Sequence, residues 1–474
     1  MSAFPQAFVS SVRAVFGLRT SQVLEALESG ESVTAVRANP AKISPEALGS
    51  RFGASSPVPW RTDAFYLEER PVFSLDPLLH AGAYYVQDPA AMFVGTVADA
   101  VIAAENRPQK VLDLCAAPGG KSTCLAVALK PSDLLVANEV IGSRAGILAE
   151  NLVKWGSVNT IVTNNDPKDF ARLAATFDLI LADVPCSGEG MFRKDAGAVA
   201  EWSPENVNLC AARQRRIIAD AWDSLREGGW LIYSTCTFNS SENDDNVEWI
   251  CREFGAEIVP PSAASNSFCH RVEKIPGLQK NSTLNAEGGT PEGALSTKYG
   301  LQFAPGITRG EGQYVALMRK TSSSKASQKV KGSKSAKGVA CDWVGSEMTC
   351  REVTTSAGQI IKAYPSIIEN DIREIEDALR TIRSGVAVST VKGRNRIPTA
   401  DLALSQALNR NAFLQVELTK EQALKFLRCE ALQLPDAPKG FLTVTYEQLP
   451  IGFVKNLGSR ANNLSPQAWR LRMS

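Results

Sequence analysis

Short apolar runs alternate with helical patterns through the middle of the chain, and this alternation restricts the fold more than any other feature. The apolar runs, which predict buried strands, lie at 111–115, 134–139, 160–164, 177–183, 230–237 and 313–320. The helical patterns lie at 121–129, at 143–156 and from Ser203 to the Gly228-Gly229 pair. Such alternation predicts an α/β fold with a mostly parallel sheet covered by helices on both faces. Ligands of these sheets bind beyond the carboxyl ends of the strands.

The cysteine spacing and the lack of long apolar runs bear on the cellular compartment of the protein and on whether it carries disulfides or a metal. No apolar run approaches the roughly 18 residues of a membrane-spanning helix, and the first residues do not match a secretory signal. The ten cysteines contain no Cys-x-x-Cys pair, which argues against both a disulfide framework and a zinc site. We therefore expect a cytoplasmic protein without membrane contact or bound metal, whose cysteines are thiols.

Charge is unevenly distributed along the chain, although the net charge is only +1. From Arg319 to Lys337 there are seven basic residues and no acidic one, and the residues from Gly452 onward also lack acids. Stretches of this kind bind phosphate backbones or form solvated linkers. The Ser/Lys/Gly-rich segment within 321–340 has almost no apolar residue and predicts a disordered linker.

The loop at 112–122 (LDLCAAPGGKS), between the first strand and the first helix, has the composition of a ligand-binding loop. Its alanines and glycines let a ligand approach the backbone closely, and the helix behind it offers free N–H groups. Glu139 ends the next strand, where an acid commonly holds a ribose hydroxyl, and Asp166 and Asp183 follow later strands. The loop matches neither GxGxxG nor GxxxxGK[ST], which argues against a dinucleotide or a nucleoside triphosphate.

Two cysteines follow the fourth and fifth strands and therefore fall on the same rim of the sheet as this loop. Cys186 ends the segment Asp-Val-Pro-Cys, and Cys236 is the centre of Thr-Cys-Thr. A thiolate that adds to carbon 6 of a cytosine makes carbon 5, otherwise a poor nucleophile, able to attack a methyl sulfonium. Asp183 can then hydrogen-bond the N3/N4 edge of the base, and the second thiol can assist release. These residues alone do not decide which cysteine attacks.

The segment at 183–186 also bears on a contrasting reaction, the methylation of an exocyclic amine. Enzymes of that kind usually carry Asn/Asp-Pro-Pro-aromatic after the fourth strand. Here the acidic acceptor is present, but a thiol replaces the aromatic residue. The segment therefore favours covalent chemistry at carbon.

Seven segments of the chain resemble the Sun/nucleolar-protein family of RNA (cytosine-5) methyltransferases. They are 84–92 (YYVQDPAAM), 112–122, 137–139 (ANE), 163–167 (TNNDP), 180–195 (ILADVPCSGEGMFRKD), 202–205 (WSPE) and 231–244 (LIYSTCTFNSSEND). Within the family, the chain is most similar to the bacterial 16S ribosomal RNA branch of methyltransferase F type, whose final motif resembles 452–473. One departure lies at 303–306 (FAPG), where the family often has histidine in place of Gly306.

The resemblance implies a Rossmann-like, class I S-adenosylmethionine-dependent methyltransferase core and assigns roles within it. It implies that Cys236 is the nucleophile and that Cys186 assists product release, with Asp183 beside them as the third catalytic residue. The cofactor-binding residues that it implies are Cys115, Ala116, Ala117, Pro118, Gly119, Gly120, Lys121, Glu139, Asp166 and Asp183.

The resemblance also implies a division of the chain into parts. We expect an N-terminal α/β RNA-binding extension (1–75), a methyltransferase core (76–320), a linker (321–340), an intermediate RNA-binding subdomain (341–400) and a PUA-like β-rich RNA-binding domain (401–474). The expected substrate of this RNA-binding monomer is 16S ribosomal RNA or the small ribosomal subunit. Two alternatives stay open: a transfer RNA cytosine-5 methyltransferase, and a ribosome-assembly factor without catalysis, against which the presence of both cysteines argues.

Overall fold

A computed structural model describes residues 4–54, 56–259, 293–323, 338–355, 358–393 and 395–472 of the chain. Most of the linker expected at 321–340 lies outside the described residues. Within the described ranges, no helix is both long and apolar enough to cross a bilayer.

The N-terminal part is a four-stranded antiparallel sheet with helices around it. The strands, in the spatial order β2-β3-β1-β4, are β1 (Thr34–Ala38), β2 (Ser56–Val58), β3 (Arg61–Leu67) and β4 (Tyr84–Val86). The helices are α1 (Gln6–Phe16), α2 (Thr20–Glu28), α3 (Pro45–Phe52) and α4 (Pro77–His80). Since β4 pairs with β1, this sheet includes residues beyond position 75.

A buried arginine ties this N-terminal sheet to the larger domain. Arg37 on β1 is fully buried, donates to Gln87 at 3.1 Å and to Thr123 at 2.6 Å, and lies 4.9 Å from the centre of the Trp155 ring. Hydrogen bonds to a charged group contribute about 1.5–3 kcal/mol each, so these contacts fix the relative position of the two parts.

The large domain is built on the predicted parallel sheet. Its strands are β5 (Lys110–Asp113), β6 (Leu134–Asn138), β7 (Thr160–Thr163), β8 (Phe177–Asp183), β9 (Leu225–Thr235), β10 (Ala256–Val259), β11 (Leu295–Ser296), β12 (Leu301–Phe303) and β13 (Gln313–Lys320). The central order β9-β8-β5-β6-β7 is parallel, and β13 pairs antiparallel with β9. Its helices are α5 (Pro89–Ala103), α6 (Gly120–Ala128), α7 (Gly142–Trp155), α8 (Ala196–Glu201), α9 (Pro204–Ala221) and α10 (Asp244–Phe254).

Alternate residues of the central strands enter two separate apolar cores, one on each face of the sheet. Val111 and Leu135 pack with α5 on one face, whereas Leu112 and Val136 pack on the opposite face in the cluster that includes α9. Strands buried on both sides read as continuous apolar runs, which explains why the sequence predicts them so well. The α/β class and the two helical layers are therefore confirmed.

The end of α9 and the start of the next strand, predicted at position 230, both differ from the sequence prediction. The Gly228-Gly229 pair suggests a helix stop, but α9 ends at Ala221 and β9 begins at Leu225. Gly228 lies within the strand with φ of 71°, and a Cβ on Gly229 would be 3.0 Å from the carbonyl oxygen of Asp178. The glycines therefore serve a close approach between strands rather than a helix C-cap.

The C-terminal part contains two further sheets. The first, in the order β14-β15-β17-β18, contains β14 (Met348–Thr355), β15 (Gly358–Pro365), β17 (Val386–Lys392) and β18 (Asn395–Pro398). The helix α11 (Glu369–Ala378) and the strand β16 (Thr381–Arg383) lead back to the large domain, where β16 pairs antiparallel with β7. The intermediate region at 341–400 thus supplies the edge strand of the methyltransferase-like sheet.

The last sheet forms a small β-rich domain, as expected for the C-terminal residues. After helix α12 (Ala400–Leu404), its elements are β19 (Leu414–Glu417), α13 (Lys420–Leu427), β20 (Gly440–Tyr446), β21 (Leu449–Asn456) and β22 (Ala461–Asn463). The runs FLQVEL and GFLTVTY, which predict strands, correspond to β19 and β20. One contact across the parts is the salt bridge of 2.8 Å between Arg51 and Glu447.

Candidate active site

A cavity of about 370 Å³ lies beyond the carboxyl ends of β5, β6, β8 and β9. Seven of the residues singled out in the sequence line it: Cys115, Ala117, Glu139, Asp166, Asp183, Cys186 and Cys236. Its position is where a parallel sheet of this kind binds its ligands. The structure therefore brings the predicted loop, acids and cysteines to one site.

The remaining predicted residues form the turn behind this cavity rather than its lining. Gly119 precedes α6 with φ of 114°, and a Cβ there would lie 3.3 Å from the side chain of Leu148. Gly120 begins the helix, and a Cβ on it would lie 3.4 Å from the Tyr85 ring. Ala116 and Pro118 complete this turn, whose carbonyls accept hydrogen bonds from neighbouring side chains: that of Pro118 accepts from Asn151 at 2.8 Å.

The two cysteines are in direct contact. Their sulfur atoms are 3.1 Å apart, and both side chains are partly exposed to the cavity. The hydrogen bond to Cys236, together with burial, raises the pKa of the Cys186 thiol well above its usual value. A raised pKa keeps the proton on Cys186, and either thiol can be the donor in the contact between the two sulfur atoms.

Lys121 places a positive charge beside this pair. Its ammonium group lies 2.8 Å from Oδ2 of Asp183, and Ser234 donates to the other oxygen of that carboxylate at 3.0 Å. Burial alone lowers the pKa of Lys121, but the charge of Asp183 and the nearby Cys236 outweigh burial, so that the pKa is raised. A lysine that stays protonated here stabilises a thiolate at Cys236.

A buried network of hydrogen bonds fixes the two cysteine loops relative to each other. Glu189, three residues after Cys186, accepts from the backbone of Phe238 at 2.7 Å and from the side chain of Asn239 at 3.0 Å. Glu242, six residues after Cys236, accepts from the backbone of Ser187 at 3.0 Å. Each acid thus follows one cysteine in the chain and holds the loop of the other.

Sequence reasoning assigned no role to Glu189, Asn239 or Glu242. The only signal was their place in the segments SGEG and FNSSEN, directly after the two cysteines. Both carboxylates are fully buried, and burial raises the pKa of Glu242. A buried carboxylate that accepts several hydrogen bonds is expected where the backbone around reacting groups must be held rigidly.

The opposite end of the cavity carries acids suited to a nucleoside. Glu139 is almost fully buried, accepts from the backbone of Ile141 at 2.9 Å and lies 3.5 Å from Arg144. Asp166 accepts from the backbone of Lys168 at 3.2 Å at the start of a 3₁₀ turn. Glu139 lies where an acid holds a ribose hydroxyl in Rossmann-like sheets, and both carboxylates can accept hydrogen bonds from a nucleoside.

One further acid lies at the start of the glycine-rich loop that follows β5. Asp113 at the end of β5 is fully buried, and its Oδ2 accepts from Ser122 at 2.7 Å. Its Oδ1 has no hydrogen-bond donor among the described residues. Burial raises the pKa of Asp113 to about 7, and the neighbouring Asp183 adds to the rise. The glycine turn and Glu139 fit a ligand that carries a ribose, whereas Asp113 is not among the residues that line the cavity.

Three family models match the chain in succession. The model described as 16S rRNA methyltransferase RsmB/F matches residues 100–319, that of the N-terminal domain of 16S rRNA methyltransferase RsmF matches residues 4–89, and that of the methyltransferase RsmF PUA domain matches residues 413–471.

Curated relatives are similar over most of the chain. A ribosomal RNA small subunit methyltransferase F of Escherichia coli O139:H28 is 32% identical over 440 residues, which cover 87% of this chain and 84% of the relative. A protein of the same name from Citrobacter koseri is 33% identical over 457 residues, which cover 91% of this chain and 89% of the relative.

Solved structures share the fold at lower identity. A methyltransferase homolog from Pyrococcus horikoshii has a TM-score of 0.52 and 24% identity, and covers 67% of this chain and 96% of its own. The structure of NSun6 from Pyrococcus horikoshii with SFG has a TM-score of 0.51 and 20% identity, and covers 68% of this chain and 99% of its own.

Proposed function

We propose that this chain, which belongs to the 16S ribosomal RNA methyltransferase RsmB/F family, methylates carbon 5 of cytosine through a covalent adduct with Cys236. The chain is an S-adenosylmethionine-dependent ribosomal RNA methyltransferase with a C-terminal PUA domain.

The contact of 3.1 Å between Cys186 and Cys236 supports the proposal most directly. Methylation of an exocyclic amine needs no thiol, whereas carbon 5 of cytosine becomes nucleophilic only after a nucleophile adds to carbon 6. Cys236 lines the cavity, contacts the sulfur of Cys186 and lies close enough to Lys121 to raise the pKa of that lysine. These neighbours are those that a nucleophilic thiolate requires.

The proposed reaction assigns a task to each of these side chains. The Cys236 thiolate forms a bond to carbon 6, and the electron pair of the C5–C6 double bond becomes available at carbon 5. S-adenosylmethionine, when bound, supplies the methyl group as an electrophilic sulfonium. Asp183 accepts a hydrogen bond from the N4 amino group of the base and holds the ring in place.

Release of the product reverses the first step. The proton on carbon 5 leaves to water, the bond between carbon 6 and sulfur breaks, and the C5–C6 double bond forms again. The Cys186 thiol donates its hydrogen bond to the sulfur of Cys236 as negative charge returns there. The turn from Cys115 to Lys121, together with Glu139, Asp166 and Asp183, is proposed to hold the methyl donor.

The position of the methyl group can be determined by mass spectrometry of nucleosides. We would incubate the full-length protein with S-adenosylmethionine and 16S ribosomal RNA, small ribosomal subunits or transfer RNA, and digest each RNA. The proposal predicts 5-methylcytidine in ribosomal RNA. Methyl transfer to the N4 amine would refute the chemistry, and 5-methylcytidine only in transfer RNA would refute the substrate.

A further inference from the structure

One face of helix α9 carries two arginines at the mouth of the active-site cavity. Arg213 and Arg216 are three positions apart, so that their side chains are neighbours on the helix surface. Both are exposed, and both line the cavity that contains Cys186 and Cys236. Leu209, one turn earlier on the same face, has 64% of its surface exposed.

Hydrogen bonds from Gln214 fix the position of this helix face relative to the cysteines. Gln214, adjacent to Arg213, is fully buried and donates to the carbonyl oxygen of Pro185 at 3.1 Å and to Glu242 at 2.7 Å. The helix is thereby attached to the backbone immediately before Cys186. The two arginines therefore project from a rigid element next to the reacting groups rather than from a mobile loop.

Neither guanidinium group has a partner among the described residues, and in this they differ from other arginines nearby. Arg215 on the same helix donates to Asn246 at 2.7 Å, and Arg144 across the cavity donates to the carbonyl oxygen of Ala117 at 2.9 Å. Exposed arginines without a carboxylate partner, placed at the mouth of a cavity, are suited to an anionic ligand from outside the protein.

We propose that Arg213 and Arg216 bind two consecutive phosphates of the RNA strand that carries the target nucleotide. The inference rests on the proposed function only in that the target base enters this cavity. A base must leave its stack to reach an enclosed site, and the backbone on either side of it must then be held. Guanidinium groups bind phosphate through two parallel hydrogen bonds, so that an adjacent pair holds two phosphates in register.

The carboxylate of S-adenosylmethionine is the other anion that could reach these residues. The methyl donor offers one carboxylate, whereas an RNA strand offers a phosphate at every nucleotide. Two exposed arginines on the outer rim match the second pattern, and the exposed Leu209 beside them is placed to contact a neighbouring base or ribose. Arg213 and Arg216 are thus positioning residues for the nucleic acid and not for the cofactor.

The test is the salt dependence of catalysis in the Arg213→Gln/Arg216→Gln double variant of the full chain. We would measure kcat/KM for tritiated methyl transfer to a 16S ribosomal RNA transcript between about 50 and 200 mM KCl. Each lost phosphate contact lowers the slope of log(kcat/KM) against log(salt) by about 0.7 for single-stranded RNA, which predicts a decrease of about 1.4. At low salt, kcat/KM should fall about tenfold or more, mainly through KM.

The matched control is Arg252→Gln, which removes an exposed arginine of α10 that does not line the cavity. The control should keep the wild-type slope, and the double variant should keep the wild-type affinity for S-adenosylmethionine in calorimetry. An unchanged slope, an equal decrease in the control, or a weakened affinity for S-adenosylmethionine would each overturn the inference. Because tritium transfer counts a methyl group on any atom, this result is independent of whether the product is 5-methylcytidine.

Discussion

The sulfur atoms of Cys186 and Cys236 lie 3.1 Å apart although 50 positions separate them in the chain. The cause is the order of the sheet: β8 and β9 are parallel neighbours, with Asp183 paired to Ser234, so that their carboxyl ends meet. Cys186 lies three residues after the end of β8 and Cys236 one residue after the end of β9, so both reach the same cavity.

Replacement of Cys236 by alanine should abolish methyl transfer, with a fall in kcat of roughly 10³-fold or more, because the thiol proposed to add to carbon 6 is removed. Binding of S-adenosylmethionine should persist, which calorimetry can measure.

With RNA that contains 5-fluorocytidine, the wild type should form a stable adduct, because carbon 5 carries no proton to lose. Cys251→Ala, which alters a cysteine of α10 outside the cavity, should form the adduct normally. An adduct with Cys236→Ala would show that another residue is the nucleophile.

Replacement of Cys186 by alanine should trap the enzyme on its substrate. Without the hydrogen bond from Cys186, the departing sulfur of Cys236 is less stabilised, so that the covalent complex with ordinary RNA accumulates. Denaturing gel electrophoresis detects such a complex. The double variant Cys186→Ala/Cys236→Ala should show no complex, and a Cys186→Ala enzyme that turns over like the wild type would exclude a role in release.

A methyl group at Gly190 should displace the Cys236 loop. A Cβ there would lie 2.3 Å from the carbonyl oxygen of Cys236, to which the Gly190 N–H donates at 2.7 Å. We expect Gly190→Ala to lower kcat by about 10²-fold, because misplacement by about 1 Å is costly in catalysis. Gly146→Ala is the control: its Cβ meets nothing within 4 Å in the exposed part of α7, and it should raise stability by up to about 1 kcal/mol. Equal activity of both variants would contradict the close contact.

The buried acid Asp113 should make stability fall as the pH rises. Its pKa is raised to about 7 by burial, above that of an unfolded aspartate near 3.9, so that the folded state holds a proton more tightly. The contribution of Asp113 to the free energy of unfolding is fully present below about pH 4. It is lost as the pH rises to about 7, a decrease of at most about 4 kcal/mol.

Asp113→Asn removes this titration while keeping an acceptor for Ser122. The variant should therefore match the wild type near pH 4 and unfold at a higher temperature than the wild type above pH 7. Thermal unfolding followed by circular dichroism across this range gives the comparison. A difference in melting temperature that does not vary with pH would contradict the assigned pKa.

Local sequence patterns predict the parallel sheet correctly and predict that several candidate site residues lie at one rim of it. Each central strand is buried on both faces and must be apolar throughout, and each parallel strand must end at the same rim. Glu139, Asp183, Cys186 and Cys236 follow such strands and therefore gather in one cavity. The roles of the individual residues remain proposals, because proximity alone does not identify which group reacts.

Contacts between distant segments were not predictable in the same way. The strand β16, Thr381–Arg383, is too short to give a pattern, and only pairing with β7 makes it part of the sheet. A Gly-Gly pair such as Gly228-Gly229 is typical of a helix end, yet both glycines lie within β9. A side chain at Gly229 would crowd the backbone of Asp178 on the neighbouring strand β8.

Local patterns of burial and chain direction predict the α/β class, the strands whose ends carry the site and the residue types available for chemistry. The folded structure shows that Cys186 contacts Cys236 and that Glu189 and Glu242 each hold the loop of the other cysteine. It also places Arg213 and Arg216 at the cavity with no partner among the described residues. Those relationships depend on distances between segments far apart in the chain, which no local pattern encodes.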